Sequence, residues 1–117
     1  MYPGGIIFLK TTDLKRCCQF YESKLGFEIW LEQPNCTILK CNNLMIGFIG
    51  SGQVENQGII TLFYPSKQEV DDEYLKLKNI AIEPPKNNEK YNIYQFFARD
   101  LEGRLLEFQS FNHAIDW

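Results

Sequence analysis

The segment from Ala98 to Ser110, "ARDLEGRLLEFQS", joins two extended runs through an acidic, glycine-containing turn and sets one carboxylate, Glu107, among apolar neighbours. Side chains alternate along a strand, so Leu106 and Phe108 point one way and Leu105, Glu107 and Gln109 the other. The preceding run, "NIYQFFAR", is the natural partner strand, with Asp100 to Gly103 as the turn. A hairpin closing symmetrically about that turn puts Phe96 opposite Glu107. A carboxylate on an apolar wall needs a partner, because an unpaired buried charge is costly or takes up a proton.

The segments upstream fall into a repeated order. Ile6 to Thr11 is an extended run, Asp13 is a good N-cap, and Leu14, Cys17, Tyr21 and Leu25 follow at helical spacing until Gly26 stops the helix. Phe27 to Leu31, "CTILKC" and "LMIGFI" read as three strands, the last two joined by Asn42-Asn43, a dipeptide suited to a type I′ turn. After the polar connector "GSGQVENQG" the order restarts. "GIITLFY" is extended, Ser66 and Glu69 form a capping box, and Val70, Tyr74 and Leu77 mark a second helix that Asn79 ends. A short extended segment near Ala81 to Glu83, the loop "PPKNNEK" and the final hairpin complete the second half. Laying "GIIFL" over "GIITL" carries Gly5 onto Gly58 and Ile6 onto Ile59, an internal repeat of a βαβββ unit.

Two such units, at about residues 4–50 and 57–111, predict a single α+β domain over 1–117. Its curved mixed sheet surrounds a cleft, and the helices lie on the outer face. Alternation lists the residues facing the cleft: Phe8, Lys10, Ile38, Met45, Ile49, Thr61, Phe63, Phe96 and Glu107, with Trp30 nearby. This lining is apolar and aromatic with few polar anchors, a pattern suited to a planar or hydrophobic small molecule. The same pattern also fits core or a dimer interface.

Composition narrows the function classes. The 117 residues are 44% hydrophobic and 23% charged, an ordinary globular balance, and the net charge of −3 leaves no basic footprint for nucleic acid or an anionic membrane. No apolar run is long enough for a signal peptide or a spanning helix, so a cytoplasmic protein is expected. Cys17, Cys18, Cys36 and Cys41 form no C-x-x-C pair and the one histidine, His113, lies in the C-terminal tail, so zinc patterns are absent and the thiols read as reduced and structural.

The segments "FLKTTDLKRCCQFYESKLGFEI" and "ARDLEGRLLEFQ" resemble the two hallmark segments of the vicinal oxygen chelate superfamily, which includes glyoxalase I, extradiol dioxygenases and bleomycin and fosfomycin resistance proteins. The similarity runs through Asp13-Leu14, Phe20-Tyr21 and Leu25-Gly26-Phe27. It continues at Asp100, Gly103 and Glu107, where Leu101 replaces the proline of a D-P-x-G-x-x-x-E signature. The resemblance implies a homodimer and, in catalytic members, a divalent metal held from the first and last strands of each unit. The corresponding positions here are Ile6, Gly47, Ile59 and Glu107, the second obtained by aligning "NNLMIGF" with "EGRLLEF". One carboxylate beside two isoleucines and a glycine is a poor donor set for a divalent cation.

Three roles for Glu107 remain open from the sequence. It can pair inside the scaffold with Lys40 or a tyrosine hydroxyl, orient a small organic ligand, or serve a metal or general base with help from His113 across a dimer. The expectation is a glyoxalase/bleomycin-resistance-like protein that binds a small, partly apolar or aromatic molecule with no cofactor and without the usual catalytic metal. The alternative is a metal-dependent lyase, isomerase or dioxygenase using a divalent metal through Glu107. A third reading is an interaction domain whose cleft is filled. No catalytic residue is assigned, and neither nucleic acid nor membrane is expected as a partner.

Overall fold

The computed structural model describes residues 1–116, which fall into two compact units dividing between Asn56 and Gln57. In the first unit, β1 (Ile7–Thr11) leads to α1 (Leu14–Leu25), then β2 (Glu28–Gln33), β3 (Cys36–Cys41) and β4 (Leu44–Gly50). The second repeats this order with β5 (Ile59–Phe63), α2 (Lys67–Lys76), β6 (Lys86–Asn88), β7 (Ile93–Arg99) and β8 (Leu105–Phe111). Each unit has its own four-stranded sheet, ordered β1-β4-β3-β2 and β5-β8-β7-β6, with the first strand parallel to the last and the other neighbours antiparallel. The architecture is α+β, made of two βαβββ units, as the repeat predicts.

Local chemistry sets the element ends. The Asp13 carboxylate accepts from the Arg16 amide at 3.1 Å, and Gly26 takes the left-handed φ of 73° that ends α1. Ser66 accepts from the Glu69 amide at 3.3 Å to start α2, and Leu77 rather than Asn79 caps its end. The β3–β4 turn has the expected two-residue length, with Cys41 opposite Leu44. Among the described residues Asn42 has a positive φ of 54° and Asn43 does not, so the turn is not type I′.

In each unit the helix covers one sheet face. Tyr21 of α1 is fully buried, 5.5 Å from the Phe27 ring and 4.9 Å from the Phe48 ring, and Leu39 and Ile46 are buried as well. In the second unit Val70, Leu77, Phe96, Ala98, Leu106 and Phe108 are all buried; Phe96 and Phe108 stack at 4.8 Å, and Tyr74 meets Phe96 edge-on at 5.5 Å. Each buried large apolar side chain contributes roughly 1.5–3 kcal/mol, so these clusters dominate the stability of their units. Cys17, Cys18 and Cys36 are buried and Cys41 is partly so. Burial also raises the Cys18 thiol above its ordinary value, opposed by a hydrogen bond with Thr37. Among the described residues no helix is long and apolar enough to cross a membrane.

Two further expectations need correction. The first strand of the final βββ segment does not lie at Ala81 to Glu83; Ala81 makes only an isolated bridge to Ala98, and the strand is β6, inside the "PPKNNEK" run. A three-residue edge strand tolerates a flanking Pro84-Pro85 because it needs hydrogen bonds on one side only. The final hairpin is also not symmetric about Asp100 to Gly103. Arg99 pairs with Leu105, leaving a five-residue loop from Asp100 to Arg104. Phe97, not Phe96, therefore faces Glu107 across the strands, and Phe96 belongs to the helix-side core with 1% of its surface exposed.

Candidate functional site

The second sheet's face away from α2 carries the candidate site. Thr61, Glu107 and Phe97 lie in one row across β5, β8 and β7, with Phe63, Gln109 and Gln95 in the next. Glu107 is half-buried. Its Oε1 accepts from the Thr61 hydroxyl at 2.7 Å, and its Oε2 accepts a short hydrogen bond from the Gln95 amide nitrogen. The Gln95 carbonyl oxygen in turn accepts from the Asn88 side chain at 2.7 Å. This chain of neutral donors answers the partner question: neither Lys40 nor a tyrosine hydroxyl holds Glu107. Lys40 sits exposed in the first unit opposite Met45.

Beside this network is a cavity of about 450 Å³, lined on the apolar side by Ile59, Tyr91, Ile93, Phe97 and Phe111 and on the polar side by Asn88, Gln95, Glu107 and Gln109. A small-molecule pocket typically occupies about 300–1,000 Å³ and combines an apolar wall with a few placed polar groups. Of the residues expected from sequence, Glu107 lines this cavity. Thr61 supports it by hydrogen bonding, and Phe63 stands at the strand end against Phe111, ring centroids 5.8 Å apart. Gln95, Phe97, Asn88, Tyr91 and Phe111 were not legible. Correct parity of β7 would have found Gln95 and Phe97, since both follow from a five-residue closing loop.

The first unit presents its own face opposite α1. Phe8 and Lys10 of β1 lie beside Gly47 and Ile49, and Ile38 and Met45 share that face through the β3–β4 register, as alternation predicts. The Phe8 ring lies over Gly47 so closely that a Cβ there would overlap it. Lys10 is exposed, and its backbone amide donates to Glu55 at 2.9 Å. Trp30 is half-exposed at an irregularity in the β2–β3 register between Ile29 and Leu31, on the sheet edge. His113 is exposed in the tail with its ring against Phe111.

The repeat holds to the residue. Phe8 neighbours Gly47 across β1 and β4 as Thr61 neighbours Glu107 across β5 and β8. Thus Gly47 is the first-unit counterpart of Glu107. The positions that would hold a metal in catalytic relatives can then be tested against each unit. The first unit offers Ile6 and Gly47, with no donor atom on either side chain; the second offers Ile59 and Glu107, with one. Among the described residues no group of three or more His, Cys, Asp or Glu side chains is placed to hold a metal ion. A divalent cation needs several oxygen or nitrogen ligands, so these residues do not fit the group.

No protein-family model matches the sequence and no curated protein matches it. Solved structures do. A glyoxalase/bleomycin resistance protein/dioxygenase from Nocardioides is similar over 99% of this chain and 87% of that one, with a TM-score of 0.80 and 16% identity. A protein of the same description from Alicyclobacillus acidocaldarius covers 94% of this chain and 92% of its own, with a TM-score of 0.79 and 18% identity. A lactoylglutathione lyase from Agrobacterium tumefaciens covers 90% of each chain, with a TM-score of 0.74 and 21% identity. The likeness read from the sequence holds at the level of the fold: the chain has the fold of these glyoxalase/bleomycin resistance protein/dioxygenase structures.

Proposed function

We propose that the chain binds a small, partly apolar or aromatic molecule on the open face of the second unit's sheet, without the divalent metal used by catalytic members of the fold. The observation that carries this reading is the cavity of about 450 Å³ in which Glu107, fixed by Thr61 and Gln95, adjoins an apolar wall of Ile59, Phe97 and Phe111. The wall supplies burial, and Glu107 with Gln109 and Asn88 supplies orientation. The metal-free part rests on donor chemistry, since Ile6, Gly47 and Ile59 stand where nitrogen or oxygen ligands would be needed. A homodimer belongs to the same reading. Its support is the exposed Ile29, Trp30 and Leu31 on the edge strand β2, a surface apt for a second copy.

A fragment screen followed by backbone amide NMR tests the proposal. Flat neutral fragments such as benzamide should shift the amides of Gln95, Phe97 and Glu107 first, and Phe97→Ala should weaken them. Binding that maps elsewhere, or none at millimolar fragment, contradicts it. The competing reading is a metal-dependent lyase, isomerase or dioxygenase. It draws on the retained Glu107 and on the likeness to a lactoylglutathione lyase, and it requires further ligands that the four corresponding positions do not supply.

A further inference from the structure

Glu107 is held by neutral donors and, among the described residues, meets no counter-ion. Thr61 and Gln95 each give one hydrogen bond to a different carboxylate oxygen, and Asn88 fixes the Gln95 amide with its NH₂ group toward Glu107. Such donors orient a carboxylate without cancelling its charge. Three cations of the second unit have contacts of their own. Lys86, beside Gln95 in the register, pairs with Glu83 at 2.8 Å. Arg99 donates to the Gly103 carbonyl at 3.0 Å, and the Lys90 ammonium lies 5.3 Å from the centre of the Tyr91 ring. Among the described residues no ion pair includes Glu107.

Each carboxylate oxygen has about two acceptor positions, so one remains on each after Thr61 and Gln95 are counted. Two acceptors on one carboxylate match a forked or multiple N–H donor, the geometry in which charge-assisted bonds are strongest. Across the strands from Glu107 stands Phe97, and Phe111 and Ile59 line the same cavity. An aromatic face next to an uncompensated carboxylate favours a positive group twice, through the ring quadrupole and through the charge.

Resting on the small-molecule reading above, we infer that the ligand is a flat organic cation: an aromatic body bearing an amidinium or primary ammonium group whose N–H bonds engage Glu107. The aromatic part lies against Phe97 and Phe111. Gln95 and Thr61 hold the carboxylate in the orientation the cation meets.

Titration calorimetry on the full chain at neutral pH tests this with three probes of one shape: benzamidinium, neutral benzamide and anionic benzoate. Each is titrated into the wild type and into Glu107→Gln, which can still accept from Gln95 and bond Thr61 and so keeps the local network. Unchanged circular dichroism and melting temperature confirm that the variant folds. Benzamidinium should bind the wild type about tenfold or more tighter than benzamide, with benzoate weakest, and the cation's advantage should vanish in Glu107→Gln. Equal affinities for benzamidinium and benzamide, or an advantage that survives in Glu107→Gln, overturn the cation assignment and leave the aromatic pocket standing. If no probe binds and no amide near Gln95, Phe97 or Glu107 shifts, the small-molecule reading fails together with this inference.

Discussion

Arg104 reaches back across the last turn to Asp100, its Nη1 3.1 Å from Oδ2, and both side chains are almost wholly enclosed, at 3% and 1% exposure. The other Asp100 oxygen accepts from the backbone amides of Glu102 and Arg104 at 2.8 and 2.9 Å, while Glu102 takes a second contact from Arg104 at 3.0 Å. The Asp100 amide donates to the Arg104 carbonyl, and Gly103 takes a φ of 83°. This cluster closes a five-residue loop and so fixes which of Phe96 and Phe97 faces Glu107.

Removing one member of a buried pair leaves an uncompensated charge. Asp100→Ala should therefore destabilise the protein by about 3–5 kcal/mol in urea unfolding. Asp100→Asn should cost less, because it keeps an acceptor for the two amides and leaves Glu102 beside Arg104. A loss below about 1 kcal/mol for the alanine variant would contradict the role given to this pair.

Gly47 and Phe8 should be energetically coupled. A methyl at position 47 must displace the Phe8 ring, so Gly47→Ala is expected to cost about 1–3 kcal/mol. Adding Phe8→Ala removes the obstacle, and the double variant should lose less than the two single losses added together. Strict additivity in a double-mutant cycle would show that the close approach carries no strain.

Tyr94 gives a pH signature. Its hydroxyl donates to Asp71 at 2.6 Å, and that bond, with burial and the Asp71 charge, pushes its pKa up to about 12. A phenol raised above its unfolded value of about 10 favours the protonated, folded form. Its contribution is fully present below about pH 10 and is lost as pH rises toward 12. Absorbance titration at alkaline pH should show a late tyrosine step that Tyr94→Phe removes and Asp71→Asn moves earlier. The melting temperature of the wild type should fall more steeply through this window than that of Tyr94→Phe. Parallel melting curves would refute the linkage.

How much of this was legible in the sequence depended on loop lengths. Asn42-Asn43 marked a two-residue turn, so the pairings of Lys40 with Met45 and Ile38 with Gly47 follow directly, and the first unit's open face was readable. In the last hairpin the same parity argument placed Glu107 and Thr61 correctly because β8 and β5 carry their own alternation. It misplaced Phe96 because a turn extended by one residue reverses every side chain of the partner strand. The extension comes from Asp100 and Arg104 bonding to each other, a tertiary fact no dipeptide signals. Asn88 was hidden for a different reason, since a run rich in proline and asparagine reads as loop even where three of its residues pair as an edge strand. Gln95, the second partner of Glu107, was hidden with them.

The most direct test is the metal content of the protein purified without chelators and then offered nickel, zinc, manganese and iron in turn, measured alongside Glu107→Gln. The expected result is far less than one metal per chain in every case and no difference between wild type and variant. One tightly held metal per chain or per dimer, lost in Glu107→Gln, would contradict the metal-free reading and place this chain with the catalytic members of its fold.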